Sequence, residues 1–119
     1  LCGVEEEEMK KIVYIAGPIT GDPDYKKKFD AVAKEIEDMG YAPYNPTWQP
    51  QGLEYKQYID MALDMLKRAD AVVFLPGYDK SDGATLENDY CFTVGMTRIY
   101  LSSNATEPQL KKMLKGALK

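Results

Sequence analysis

The run Ala71-Val72-Val73-Phe74-Leu75 is apolar at every position, so both of its faces have to be covered. Such a run reads as a buried strand of a parallel sheet. Pro76-Gly77-Tyr78-Asp79-Lys80 is then the loop leaving its carboxyl end. A helix starts near Ser81 or Asp82, both good N-cap residues. At helical spacing its inward stripe is Ala84, Glu87, Cys91 and Val94. Glu87 thus falls where a core-facing helix carries an apolar side chain. A buried carboxylate with neither partner nor task is strongly unfavourable, which makes Glu87 the first candidate for chemistry.

The rest of the chain alternates strands with helices. Ile12-Val13-Tyr14-Ile15-Ala16 is a short β-rich run, expected as the first and central strand. Gly17-Pro18-Ile19-Thr20-Gly21 is its exit loop. Asp22 followed by Pro23 reads as a helix start, with the acid as cap and the proline in the first turn. Phe29, Val32, Ile36 and Met39 recur at helical spacing, and Gly40 closes that helix. Tyr41-Ala42-Pro43-Tyr44 is a brief second strand whose proline assigns it to an edge. Residues 45–53, with Pro46, Trp48, Pro50 and Gly52, form a long loop over the carboxyl edge of the sheet. A helix over 54–68 follows, with Tyr55, Ile59, Ala62 and Leu66 inward. After the Glu87 helix come a strand at Ile99-Tyr100-Leu101 and a last helix from near Thr106. Leu110, Met113, Leu114 and Ala117 mark the buried side of that helix.

This alternation implies one α/β domain, doubly wound and Rossmann- or flavodoxin-like, with three layers. Right-handed crossovers and a central first strand give the order 2-1-3-4, with an optional fifth strand at the edge. A chain of 119 residues supplies one core rather than two, so residues 9–119 are read as the domain. Residues 1–8, including Glu5-Glu6-Glu7-Glu8, read as a solvated acidic tail ahead of Met9. They lack the basic start and apolar centre of a secretion signal. No apolar run approaches the roughly 20 residues that cross a bilayer. The expectation is a cytoplasmic protein without a membrane partner.

Composition narrows the chemistry. A net charge of -4 argues against a phosphate-neutralising surface and hence against a nucleic acid polymer as partner. A single mononucleotide is compatible with this charge, because helix N-termini hold one phosphate without net positive charge. The chain has no histidine. Acid–base work therefore falls to carboxylates, tyrosine or water, and neither a His-based triad nor a His-ligated zinc site can form. Cys2 and Cys91 are the two cysteines, one in the tail and one on a core face, so neither a disulfide nor a cysteine metal site is expected. No metal or cofactor is called for.

In a doubly wound sheet the ligand crevice opens at the carboxyl ends of the first and third strands. Both exit loops, 17–21 and 76–83, therefore converge beside Glu87. The 17–21 loop lacks the G-x-G-x-x-G spacing of a dinucleotide site and the G-K-[ST] ending of a phosphate loop. Taken alone, it reads as a tight turn. Ser81 and Gly83 at a helix start are in the first place a cap and a turn, yet the same geometry offers amides and a hydroxyl to an anion. Tyr14 is a packing residue whose hydroxyl needs a partner, and Glu87 across the crevice can be that partner. Trp48 reads equally as a stacking lid for a base or as a plug over the sheet edge.

Tyr14-Ile15-Ala16-Gly17-Pro18-Ile19-Thr20-Gly21, Ala69-Asp70-Ala71-Val72-Val73 and Ser81-x-Gly83-x-x-x-Glu87 together resemble the nucleoside 2-deoxyribosyltransferase superfamily, which includes deoxynucleoside 5′-monophosphate N-glycosidases. The resemblance runs over about residues 11–101. It is closest to a small branch with a Leu-Pro-Gly…Ser-x-Gly-Ala…Glu signature, as in Leu75-Pro76-Gly77 and Ser81 to Glu87. It implies Glu87 as the nucleophile toward an anomeric carbon and Tyr14 as the residue orienting it. It further implies that a homodimer or higher oligomer completes the site. With that chemistry, Ser81, Gly83 and the loop Gly17, Pro18, Ile19, Thr20 and Gly21 are read as holding phosphate or sugar, and Trp48 stays a substrate-side candidate from its loop alone. The serine at position 81 matches the relatives that meet a 5′-phosphate, whereas the transferases usually carry an acid there. One departure stands out. The helix before the third strand usually supplies a further acid, and the aligned position here is Ala62. Asp60 and Asp64 lie two residues to either side, about 200° away around the helix.

Three readings follow. The first is N-glycosidase or deoxyribosyl-transfer chemistry on a nucleoside or nucleoside 5′-monophosphate. The second is a nucleotide-binding module that keeps the crevice without turnover. The third is a structural domain in which Glu87 is incidental.

Overall fold

The computed structural model describes residues 9–103 and 107–118. The expected acidic tail, Cys2 and the predicted helix start at Thr106 lie outside the described residues. β1 (Ile12–Ala16) and β3 (Ala71–Phe74) pair in parallel at the centre of a four-stranded sheet, with β2 (Ala42–Tyr44) and β4 (Arg98–Tyr100) as its edges in the order β2-β1-β3-β4. Continuous apolar runs suit the centre because both of their faces are covered. Three-residue β2 contains Pro43 and sits at an edge, where a missing backbone donor is tolerated. The fold is the single α/β, Rossmann- or flavodoxin-like domain expected, and the four strands described have the expected order.

The period of two along the central strands separates two cores. Val13, Ile15, Val73 and Leu75 face α1 (Tyr25–Asp38) and α4 (Glu107–Ala117), where Phe29, Ala33, Ile36, Leu110 and Leu114 meet them. Tyr14, Ala16, Val72 and Phe74 face α2 (Tyr55–Arg68) and α3 (Asp82–Val94), where Ala62, Leu66 and Cys91 meet them. Tyr14 and Glu87 therefore share the second layer.

Several local expectations need correction. α1 begins at Tyr25, three residues after Asp22. Asp22 instead accepts the Asp24 amide at 2.9 Å and pairs with Lys28 at 2.7 Å, an Asx turn that holds the approach to the helix rather than starting it. β4 lies one residue earlier than predicted. Val94, predicted inward, is exposed. Gly95 (φ 72°) reverses the chain there, the Met96 amide returns to the Cys91 carbonyl at 2.9 Å, and Met96 packs in the core instead. Met113 and Ala117 are exposed, because Leu110 and Leu114 take the inward face of α4. Among the described residues no helix is long and apolar enough to cross a membrane.

The two strands that carry the crevice leave the sheet in contact. The Leu75 amide donates to the Ala16 carbonyl at 2.8 Å. A Cβ at Gly17 would stand 2.9 Å from Leu75 Cβ, closer than packed carbons approach. Space, rather than an unusual backbone angle, requires glycine here. Gly17→Ala should destabilise the fold by about 1–3 kcal/mol, read as a lower urea midpoint. At Gly83 the nearest neighbour of an added Cβ is Tyr55 Oη at 3.8 Å, so Gly83→Ala should leave the midpoint unchanged or raise it.

Candidate active site

Ser81 caps α3. Its Oγ accepts the Ala84 amide at 3.2 Å, which sets the start of the helix and so the rotation of every later residue. Ala84, Glu87 and Cys91 then face the sheet. Glu87 comes to lie above Tyr14, whose hydroxyl donates a hydrogen bond to Glu87 Oε2. Tyr14 is 1% exposed and Glu87 7%. Opposite Tyr14 in the β1–β2 register stands Tyr44, and the two rings stack with centroids 5.5 Å apart.

Burial dominates the electrostatics of this pair. Loss of water pushes the Glu87 carboxyl up to about 7, against the opposing pull of the Tyr14 hydrogen bond. Burial, followed by the Glu87 charge, holds the Tyr14 hydroxyl well above its ordinary value. It therefore remains a protonated donor at neutral pH. Cys91, one turn further along α3, is pushed up to about 11 by burial and by Glu87. It stays a thiol, which disqualifies it as a nucleophile at neutral pH.

Above the pair opens a cavity of about 670 Å³, within the range that holds small molecules. Tyr14 and Ala16 line it from the sheet, Glu87 from α3, and Gly17, Ile19 and Thr20 from the first exit loop. The start of α3 supplies Ser81, Asp82, Gly83 and Ala84, with Lys80 just ahead of it. α2 contributes Tyr55, Tyr58, Ile59 and Ala62. The 47–53 segment closes the remaining side through Thr47, Gln49, Gln51, Gly52 and Leu53.

Seven of the ten residues singled out from sequence meet in this cavity: Tyr14, Gly17, Ile19, Thr20, Ser81, Gly83 and Glu87. Pro18 and Gly21 belong to the same loop but are not among the lining residues. Trp48 lies elsewhere, 60% exposed, beside a shallow hollow shared with Asp30, Ala33, Lys34 and Glu37. The reason is local. Buried Asn45 accepts both the amide and the hydroxyl of Thr47, at 2.9 and 2.7 Å. The resulting single 3₁₀ turn, Pro46–Trp48, sends Thr47 inward and Trp48 outward. Sequence reasoning missed Tyr58, Gln49, Gln51 and Lys80 as cavity residues, and it took Tyr55 for core. Tyrosine at helical spacing gives the same pattern whether it packs against a sheet or walls a cleft.

A family model described as a domain of unknown function, DUF4406, matches residues 11–100. The chain belongs to the DUF4406 family. No curated protein matches it. Among solved structures, a 2-desoxiribosyltransferase from Leishmania mexicana is similar, with a TM-score of 0.64 and 23% sequence identity. The similarity covers 79% of this chain and 65% of that one, so this chain spans about two thirds of its neighbour's length. The likeness is one of fold, and the DUF4406 description itself assigns no chemistry.

The burial of Glu87 should be visible in stability. Its folded value of about 7 lies above the ordinary 4.5, so the unfolded chain releases this proton first. The stability contributed by the neutral acid is full below about pH 4.5 and is lost as pH rises through about 7. The loss amounts to about 3 kcal/mol at most. Glu87→Gln keeps the shape and removes the titration. Its unfolding free energy relative to wild type should therefore climb between pH 5 and pH 8, whereas a constant difference across that range would contradict the assignment.

Proposed function

We propose that this protein cleaves or exchanges the glycosidic bond of a small deoxynucleoside or deoxynucleoside 5′-monophosphate, with Glu87 as nucleophile. The observation that carries this reading is the buried Tyr14–Glu87 pair opening into the cavity between the ends of β1 and β3. Tyr14 holds Oε2 and leaves Oε1 to attack the anomeric carbon. The C–N bond breaks, its electron pair leaves with the base, and the base gains a proton from solvent or a cavity acid. The glycosyl ester on Glu87 is then attacked at the same carbon, by water in hydrolysis or by a second base in transfer, which regenerates the carboxylate. Ser81, the amides at the start of α3 and the 17–21 loop receive the phosphate or sugar hydroxyl. Similarity of fold to a deoxyribosyltransferase supports this reading.

A second reading has its own observation. Ala62 presents a methyl group to the cavity where the resemblance implies an acid. Asp82, at the rim, is the other carboxylate among the described lining residues. A protein that binds nucleotides without turnover fits that arrangement.

Incubation with a panel of deoxynucleosides and their 5′-monophosphates, followed by chromatography for free base, separates the two readings. An enzyme should release base, and Glu87→Gln should cut the rate by at least about a thousandfold while ligand affinity persists. Because the attacking form is the carboxylate, the rate should rise with pH to a plateau above about 7. Absence of release in wild type, with a rise in melting temperature on adding a nucleotide, would favour the binding module.

A further inference from the structure

One wall of the cavity is the 49–53 segment, and two tyrosine hydroxyls from different elements grip it. From α2, the Tyr58 hydroxyl donates to the Pro50 carbonyl at 2.7 Å and accepts the Leu53 amide at 3.2 Å. From β2, the Tyr44 hydroxyl accepts from Gln49 Nε2 at 2.8 Å. Residues 50–53 make no backbone–backbone hydrogen bond to any other described residue, so the Tyr58 hydroxyl does the work that secondary structure does elsewhere. Between the two backbone groups held by Tyr58 lie Gln51 and Gly52, the latter at φ 85°, and both line the cavity. Tyr44 also stacks on Tyr14, which ties this wall to the side chain that holds Glu87.

We propose that Tyr44 and Tyr58 are positioning residues that hold the 49–53 segment as a fixed wall of the cavity, and that this wall decides which base the site admits. The inference rests on the nucleoside or nucleotide reading above. A loop without backbone partners would have to be ordered each time a ligand binds, and that cost would appear in affinity. Two hydroxyl anchors meet the cost during folding, so the cavity presents a preformed shape to the ligand. A preformed wall discriminates by size and shape, whereas a mobile one would adapt to each base.

Tyr58→Phe retains the ring in the wall and removes both of its hydrogen bonds. Tyr44→Phe retains the stack on Tyr14 and removes the bond to Gln49. With the panel member that wild type uses best, each change should raise KM about five- to tenfold and lower kcat by less than about twofold. If the protein binds without turnover, Kd replaces KM. The preference between purine and pyrimidine members should narrow in both variants, and amide hydrogen exchange at Leu53 should accelerate in Tyr58→Phe. Unchanged KM and preference, or a loss confined to kcat, would overturn the proposal. Should Tyr58→Phe fail to fold, Tyr44→Phe carries the same test. If wild type takes no member of the panel, the proposal falls, and exchange at Leu53 tells the failures apart. Faster exchange in Tyr58→Phe would then leave the anchor real and the nucleotide reading wrong, whereas unchanged exchange would refute the anchor itself.

Discussion

A carboxylate on the core face of a helix has to be met by a donor, and here the donor comes from a strand 73 residues away. That single contact constrains much of the molecule. Tyr14 can reach Glu87 only if β1 pairs beside β3 in register, with Tyr14 opposite Val72. α3 must also be rotated so that Ala84, Glu87 and Cys91 face the sheet. The register follows from apolar alternation, since a slip of one residue would turn Tyr14 into the other core and bring Val13 or Ile15 beneath the carboxylate. The rotation follows from the Ser81 cap.

The burial of Glu87 that this contact serves opposes stability. Glu87 would be more cheaply replaced by an apolar side chain, and burial lifts its carboxyl to about 7 because the charged form is the costly one. Ala84, its neighbour on the inward face toward the cavity, is small. So is Ala62 on the facing helix, and so is Gly17 where the strand ends touch. Small residues around a large polar pair leave the space that becomes the cavity. A core filled for stability alone would place leucine or isoleucine at these positions.

Much of this arrangement is legible in the sequence because it rests on periodicity. Five apolar residues in a row, a glycine after each central strand and a serine ahead of a helix give the strand order, the crevice and the placement of Glu87. The misreadings cluster where a local hydrogen bond overrides the pattern. Asp22 looks like a helix cap but caps a turn. Trp48 reads equally as a lid or a plug but is turned outward by Asn45, whose role depends on being buried and paired with Asp30 at 2.9 Å. Tyr55 and Tyr58 fit an amphipathic helix, and nothing in spacing distinguishes a tyrosine that packs from one that walls a cleft.

The sequence by itself therefore determined the layer architecture, the parallel order 2-1-3-4 and the presence of an acid on a core-facing stripe, because each depends on local pattern and chain connectivity. Only the tertiary structure decided that Tyr14 meets that acid, that the 49–53 segment is held by two tyrosine hydroxyls, and that Trp48 has no place in the cavity. These depend on distances between side chains far apart in the chain, or on which face of a short turn is buried. Periodicity carries no information about either.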